Sequence, residues 1–388
     1  MIDKSIYRIS IQECSGCKMC GDICPKEAIS FDYKKGFWYP SVDDKKCINC
    51  GLCSYKCPSL HNAPKTPPNP FACYGAKSKD ETIRENSTSG GFFTELAKYT
   101  IKNGGYVIAA LYDDKCRIVH ASSNDAKDIE RFRQSKYAQS DTSGIYKITK
   151  QLLVRGEKVL FCGTACQVEA LYSFLGKEYV NLQTMDLICL GICSPFAYRK
   201  YLDMLESKYK AKVVKVWFKN KTHGWRSIST RVDFSNGKVY LEPGYKDLFM
   251  HAFVVDALSM RPNCQYCKFR KIPHHSDFTV ADFWGIEHVN PAIDDNKGLS
   301  AIFVNSESGQ ETFIKISKNL DYFETTAEDI CKGNFSTLRP MAPHPKYGEF
   351  MTCLENHSFK AAMKKYSSYK SRMNLKEIIK KCIRNLVK

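Results

Sequence analysis

The stretches CSGCKMCGDICP at residues 14–25 and CINCGLCSYKCP at residues 47–58 repeat one cysteine ruler. Cys14, Cys17, Cys20 and Cys24 run up to Pro25, and Cys47, Cys50, Cys53 and Cys57 run up to Pro58. Each copy reads C-x2-C-x2-C-x3-C-P, a spacing that holds [4Fe–4S] cubanes through cysteine thiolates. A compact loop with a thiolate every third residue wraps three corners of a cubane, and the fourth thiolate points away. Zinc sites favour two separate C-x2-C pairs instead. The chemistry implied is electron transfer.

In two-cluster ferredoxins the fourth cysteine of each run serves the other cluster. The expectation is Cys14, Cys17, Cys20 and Cys57 around one cluster, and Cys47, Cys50, Cys53 and Cys24 around the second. Between the runs, Ala28–Tyr33 alternates like a short strand and Gly36–Pro40 supplies its return. Residues 1–60 therefore read as a bacterial-type dicluster ferredoxin domain. HNAPKTPPNP at 61–70, with four prolines, reads as a semi-rigid linker keeping that domain near its acceptor.

The 388 residues are 43% hydrophobic, enough for two or three domains with ample core. The start carries no apolar signal core, and no window resembles a membrane span. Nineteen cysteines then point to thiolate ligands in a reducing cytoplasm. The formal charge of +17 fits a Lys-rich protein, and equally an acidic electron donor, an anionic substrate or a membrane surface. No recognition motif or basic, aromatic-interleaved stripe points to nucleic acid.

Residues 71–330 alternate strand and helix patterns, a mixed α/β core. Helices are expected at 92–103, 125–134, 145–154, 165–175, 195–209, 247–259 and 310–318. Strands are expected at 106–112, 117–122, 158–162, 182–189, 277–283 and 300–304, with a β-meander over 213–242 turning at Asn236-Gly237. Residues 331–388 form a basic helical tail. Its apolar residues recur at helical spacing, which fits either a helix docked on its own domain or peripheral contact with an acidic membrane or partner.

Cys162, Cys166, Cys189, Cys193, Cys264 and Cys267 are a second population of thiols, at strand ends, helix starts and a C-x2-C pair. Buried hydrophobes, a third [4Fe–4S] site, zinc and a reactive thiol at Cys166 all fit them. Ser89-Gly90-Gly91 opens a helix and offers backbone N–H groups to a phosphate, as does Gly163-Thr164. Lys136-Tyr137 sets a cation beside a ring, and Asp282 ends a strand before two aromatics. His223, in a loop after a strand, is the weak candidate for an acid/base.

The ordered motifs STSGGFF (87–93), SKYAQS (135–140), FCGTACQ (161–167), DLICLG (186–191), PNCQYCKF (262–269) and DFTVADFWG (277–285) carry a family likeness. Over about residues 71–330, divided near 155, the chain resembles the beta-subunit family of coenzyme F420 hydrogenases and dehydrogenases, in its variant with a fused dicluster ferredoxin. Relatives include hydroxymethyl chlorophyll and divinyl chlorophyllide reductases. The resemblance implies an α/β flavin-binding domain with FAD and its own [4Fe–4S] cluster. The family's cluster thiols fall on Cys166, Cys189, Cys264 and Cys267, with Cys189 preferred over Cys193 for its distance to the following helix. Its flavin contacts fall best on Ser89-Gly90-Gly91 and Lys136-Tyr137, then Thr164. Leu190 stands where many bacterial relatives carry His, and Ala165 or Cys193 where they carry Pro.

The function expected is an iron–sulfur flavoprotein oxidoreductase exchanging electrons between ferredoxin-type clusters and FAD, which reduces or oxidises a small-molecule substrate. Reduced ferredoxin or a redox partner subunit would supply the electrons. The alternatives are an electron-transfer subunit of a larger complex, an F420-dependent oxidoreductase, and an iron–sulfur protein without flavin.

Overall fold

A computed structural model describes residues 4–61, 66, 68–334, 338–342 and 344–369. Part of the proline-rich stretch (62–65 and 67) and the basic tail from residue 370 onward lie outside the described residues.

Strands β1 (Ile29–Lys34) and β2 (Phe37–Val42) pair antiparallel through a two-residue turn, Lys35-Gly36, with both residues at positive φ. That conformation matches the twist of a hairpin. Each cysteine run holds a one-turn helix, Met19–Ile23 or Leu52–Tyr55, entered through a left-handed residue. Gly51 occupies that position in the second copy at φ 73°, and Lys18 occupies it in the first at φ 59°. Glycine takes this geometry freely and lysine does not. Lys18 is held there by its buried side chain, whose Nζ lies 2.8 Å from Asp141 and 4.4 Å from the Trp38 ring centre.

The remaining chain builds two sheets. The large one uses β3 (Ala72–Ser78), β4 (Tyr106–Tyr112), β5 (Ile118–Ser123), β6 (Val159–Cys162) and β7 (Leu182–Leu187). The small one is the antiparallel meander β8 (Val213–Asn220), β9 (Ser229–Phe234) and β10 (Val239–Pro243). β11 (Phe278–Asp282), β12 (Ser300–Val304) and β13 (Leu320–Glu324) return to the large sheet, whose order is β13-β3-β12-β11-β7-β6-β4-β5. Its centre, β4, β6, β7 and β11, is parallel, and its flanks are antiparallel. β6 and β12 are buried throughout, as central strands covered on both faces must be. Helix Ala165–Leu175 carries the chain from β6 to parallel β7. It starts in a Thr164/Gln167 capping box and stops at left-handed Gly176. This crossover puts the loops after β6 and β7 at one sheet edge.

Two expected helices are replaced. Helix 247–259 gives way to a three-residue turn, Leu248–Met250, and a wide π-type turn, His251–Val255. The chain then passes Ala257 at φ 51° and turns back, so its apolar residues Phe249, Met250, Ala252, Phe253, Ala257 and Leu258 are core rather than one helix face. Helix 125–134 shrinks to short turns ending at Phe132. The Lys136 ammonium takes the carbonyls of Phe132, Arg133 and Gln134 at 2.7–3.2 Å, which stops the helix.

The cysteine-rich segment is docked by burial and hydrogen bonds. Phe37 and Tyr39 belong to the same core cluster as Tyr201, Phe218 and Phe253. Asp22 accepts from Gly144 N (2.7 Å) and Tyr146 N (3.1 Å), capping helix Ile145–Val154 from another part of the chain. Thr142 and Tyr146 hydroxyls both donate to the Cys17 carbonyl.

Candidate metal centres and cofactor site

Two cavities lie in the cysteine-rich segment, each of about 350–360 Å3 of empty space. Cys14, Cys17, Cys20 and Cys57 line the inner one, with Ile6, Phe31 and Trp38. Cys24, Cys47, Cys50 and Cys53 line the outer one, with Ala28, Ile29 and Val42. Each cavity thus takes three thiols from one run and one from the other. Ile6, Cys20, Cys53 and Cys57 pack together between them. The outer cavity opens at exposed Cys50, Lys26 and Ile48. Burial pushes the Cys57 thiol up to about 12 and raises Cys20, where neighbouring thiols add to the effect. Ligands must be thiolates, so loading these sites releases protons.

Cys166, Cys189, Cys264 and Cys267 line a third cavity, of about 690 Å3 counting its open mouth. Cys166 sits in the first turn after β6, Cys189 two residues past β7, and Cys264 and Cys267 in and after a 3-10 turn, Pro262–Tyr266. Burial pushes Cys189 up to about 11 and Cys264 to about 12. Ser15, Gly16 and Cys17 line this cavity and the inner one alike, so the two share a wall. Cys193 is elsewhere: it is fully buried in the core, its Sγ 3.1 Å from Ser259 Oγ. Cys162 is likewise core. In all three cavities the thiols stand around a space; among the described residues, no three His, Cys, Asp or Glu side chains converge on a point fit for one metal ion.

The flavin candidates fall in two groups. Thr88 Oγ1 lies 3.1 Å from Ser135 Oγ, which joins the 87–91 segment to the 135–137 segment. Within them, Ser89 Oγ donates to Leu299 O and Gly90 N donates to Ser300 Oγ. Gly91, at φ 95°, opens helix Phe92–Lys102. The Lys136 ammonium is spent on its three carbonyls, with burial pushing its pKa down to about 7. Tyr137 packs on Phe218 and Phe253 and approaches Lys219, which is ion-paired with buried Asp282. Asp282 Oδ1 also accepts from Trp225 Nε1, whose ring stacks on Trp284 at 4.5 Å. Thr164 lines the third cavity with its Oγ1 3.1 Å from Cys166 Sγ, and Gly163 N bonds Met185 O at the strand end. His223 is exposed, with Nδ1 2.8 Å from Ser229 Oγ, and lines none of the three cavities.

Comparison with known proteins fits this arrangement. The family model for the C-terminal part of the coenzyme F420 hydrogenase/dehydrogenase beta subunit matches residues 156–330, and its N-terminal counterpart matches 73–147. A 4Fe-4S dicluster domain model matches residues 13–60. The chain belongs to the coenzyme F420 hydrogenase/dehydrogenase beta-subunit family. It is an iron–sulfur electron-transfer protein of that oxidoreductase family, with a ferredoxin-type domain fused to a mixed α/β core. An uncharacterized ferredoxin from Methanocaldococcus jannaschii is 33% identical over 48 residues, a match spanning 12% of this chain and 62% of that protein. Among solved structures, a chain of the xenon-derivatized F420-reducing [NiFe] hydrogenase complex from Methanosarcina barkeri is 17% identical. The match has a TM-score of 0.47 and covers 78% of this chain and 95% of that one.

Residues that sequence reasoning missed complete this beta-subunit site. Arg261, Gln139 and His274 line or brace the shared wall and third cavity. Gln139 lies inside the quoted SKYAQS motif, and Arg261 directly precedes PNCQYCKF, yet nothing local marks either. Their partners lie 88 to 247 residues away in the chain.

Proposed function

We propose that this chain carries electrons between an external one-electron donor, such as reduced ferredoxin, and a small-molecule substrate, through three [4Fe–4S] clusters and FAD. The observation that carries the reading is the set of three four-cysteine cavities, two sharing the wall Ser15-Gly16-Cys17. When bound, the clusters would supply one-electron chemistry and FAD the exchange between single electrons and a hydride. The ligands we assign are Cys24, Cys47, Cys50 and Cys53 at the outer cavity, Cys14, Cys17, Cys20 and Cys57 at the inner, and Cys166, Cys189, Cys264 and Cys267 at the third.

The chain's own residues give the path a direction in space. Exposed Cys50 and Ile48 open the outer cavity to a donor. Cys20 and Cys53 stand back to back between outer and inner cavities. Tyr137, Lys219 and Asp282 hold a polar cluster near Cys189, where burial raises the Tyr137 phenol and the Lys219 ammonium opposes it. We assign the substrate side to this end. Ser89, Gly90, Gly91, Lys136, Tyr137, Gly163, Thr164 and Asp282 remain the proposed flavin neighbours, and of these Thr164 lines the third cavity.

The domain borders we propose are 1–60, a linker at 61–70, 71–155, 156–330 and 331–388. Among the described residues no helix is long and apolar enough to cross a membrane, and all the described cysteines are free thiols. We assign a reducing compartment, the cytoplasm, because the proposed cluster ligands must stay thiolates. The beta-subunit description of the matching family favours a second reading, in which the catalytic partner is another polypeptide.

Anaerobic purification with iron, sulfide and flavin counted per chain tests the reading. Three [4Fe–4S] clusters require about twelve iron, with one FAD. About eight iron and no flavin would sink the reductase. Turnover by the isolated chain with a low-potential donor would rule out the partner-dependent alternative.

A further inference from the structure

Arg261 is 1% exposed and forms no ion pair with any carboxylate among the described residues. Its guanidinium bears a fixed positive charge, and burying an unpaired charge costs several kcal/mol. It makes four hydrogen bonds, all to groups at or beside the wall between the inner and third cavities. Nε donates to Cys14 O (2.8 Å) and Nη1 to Gln139 Oε1 (2.8 Å). Nη2 donates to Trp38 O (3.1 Å) and to Cys14 Sγ (3.4 Å). The guanidinium carbon lies 4.5 Å from the Tyr39 ring centre and 5.0 Å from that of Phe37. A Cβ on Gly16 would come within 2.6 Å of it, so the left-handed glycine makes the room it occupies. On its other side, Arg261 O accepts from Cys264 N at 3.0 Å.

Among the groups it touches, the one that can balance this charge is the thiolate of Cys14, at the inner cavity. We propose that Arg261 is a positioning residue that tunes the inner cluster, its buried charge raising the reduction potential of the site held by Cys14, Cys17, Cys20 and Cys57. The reason is electrostatic. Adding one electron makes the cluster and its thiolates one unit more negative. A cation held by geometry stabilises that reduced form more than the oxidised one. One electron leaves the outer cluster, which is oxidised, and arrives at the inner one, which is reduced; no proton need move. The outer cavity has no comparable buried cation among the described residues, since Lys26 on its rim is exposed. This charge therefore favours transfer from the outer to the inner site.

The proposal rests on the cluster assignment above, and its test separates the two. Wild type, Arg261→Gln and Arg261→Lys are purified anaerobically, their iron counted, and each cluster's reduction followed by electron paramagnetic resonance during a dithionite titration. Arg261→Gln keeps a hydrogen-bonding end but loses the charge. At a fixed poise its inner-cluster ratio of reduced to oxidised falls about tenfold, a 59 mV shift for one electron. The outer cluster stays where it was. Arg261→Lys restores most of the loss. Should Arg261→Gln lose iron, Gln139→Glu supplies the test of charge, because a carboxylate at the Nη1 contact neutralises the cation without removing it; it shifts the inner cluster in the same direction. Gln139→Met, which equally loses the Nε2 bonds to Gly16 O and Ser15 O but adds no charge, controls for the wall. Variants with full iron and unmoved potentials overturn the proposal, and Arg261 is then only a brace. A wild-type chain with fewer than about eight iron overturns the assignment of the inner and outer clusters itself.

Discussion

Cys189 and Cys193 differ by one turn of chain, and the structure sends them to opposite fates. Cys189 lines the third cavity with Cys166, Cys264 and Cys267. Cys193 is 0% exposed, bonded to Ser259 Oγ and surrounded by core side chains. Cys189→Ala therefore removes one corner of a four-thiol site, and iron falls from about twelve per chain to about eight. Sulfide falls in proportion, and the ferredoxin-type signals survive, because Cys189 lines neither of their cavities. Cys193→Ala leaves iron at about twelve. It does cost stability. Ser259 is itself fully buried and loses its partner, a penalty of about 1–3 kcal/mol. The assays are colorimetric iron and sulfide per chain on anaerobic protein, with urea denaturation alongside. Loss of four iron in Cys193→Ala with full retention in Cys189→Ala would refute the assignment and the geometry behind it.

Gly90→Ala drives a methyl to 2.2 Å from Ala76 O and 2.7 Å from Ser300 N, both backbone atoms of β3 and β12; it should cost about 3 kcal/mol in a urea melt. Gly144→Ala, with open space but φ 80°, should cost only about 1–2 kcal/mol. Asp256→Asn weakens bonds to Ser367 Oγ, Ser368 N and Oγ, and the His251 pairing, for about 1.5–3 kcal/mol at neutral pH. Burial alone would raise the Asp256 carboxyl, but its donors outweigh burial and depress it. Its contribution is thus present above the unfolded value near 3.9 and lost as pH falls below it, and the 367–369 segment becomes protease-sensitive in acid. For His274, burial opposes the charged form, but the Asp186 carboxylate 3.0 Å away wins and raises the pKa. That stability is fully present below the unfolded value near 6.5 and fades as pH rises through the higher folded value. The melting temperature of His274→Gln should converge on that of wild type as pH climbs, and a gap independent of pH would refute the pairing.

Local spacing was the readable part of this chain. The cysteine runs declare their sites because three ligands of each come from seven consecutive residues, and the hairpin at Lys35-Gly36 is equally local. Strand β6 and its following helix were legible from their apolar patterns, and the Thr164 cap and Gly176 stop agree with them. The third set of thiols could be grouped only through family resemblance, since a strand end, a crossover and a C-x2-C pair share no period. Strands β3 and β13 escaped notice. β3, ACYGAKS, is built of small residues because β12 and β13 flank it and helix Phe92–Lys102 packs on it, and small residues carry little β signal. The 247–259 run looked helical because it is rich in apolar residues, and burial on all sides erases the period that separates a helix from a turn. Arg261, Gln139 and the Lys18–Asp141 pair were invisible for another reason: each is an ordinary residue until a distant segment folds onto it.

That last group changes how the ferredoxin-type segment should be pictured. A proline-rich linker suggests a domain tethered near its acceptor and free to visit it. Lys18, strained at φ 59°, is kept in place by Asp141 and the Trp38 ring. Asp22 caps a helix of the α/β core, and Ser194 Oγ and the Tyr347 hydroxyl hold the hairpin turn through Gly36 O and Lys35 O. These contacts bury polar groups that would be left unpaired if the segment swung away, at about 1–3 kcal/mol for each orphaned donor or acceptor. Undocking would also expose Phe37, which is 0% exposed, and the Arg261 guanidinium. Several such losses together exceed what thermal motion supplies on a catalytic timescale. The interface, more than the linker, fixes the inner cavity against the third one. On the path we propose, electron flow across that wall would be limited by potentials and by the exposed outer site, not by domain motion.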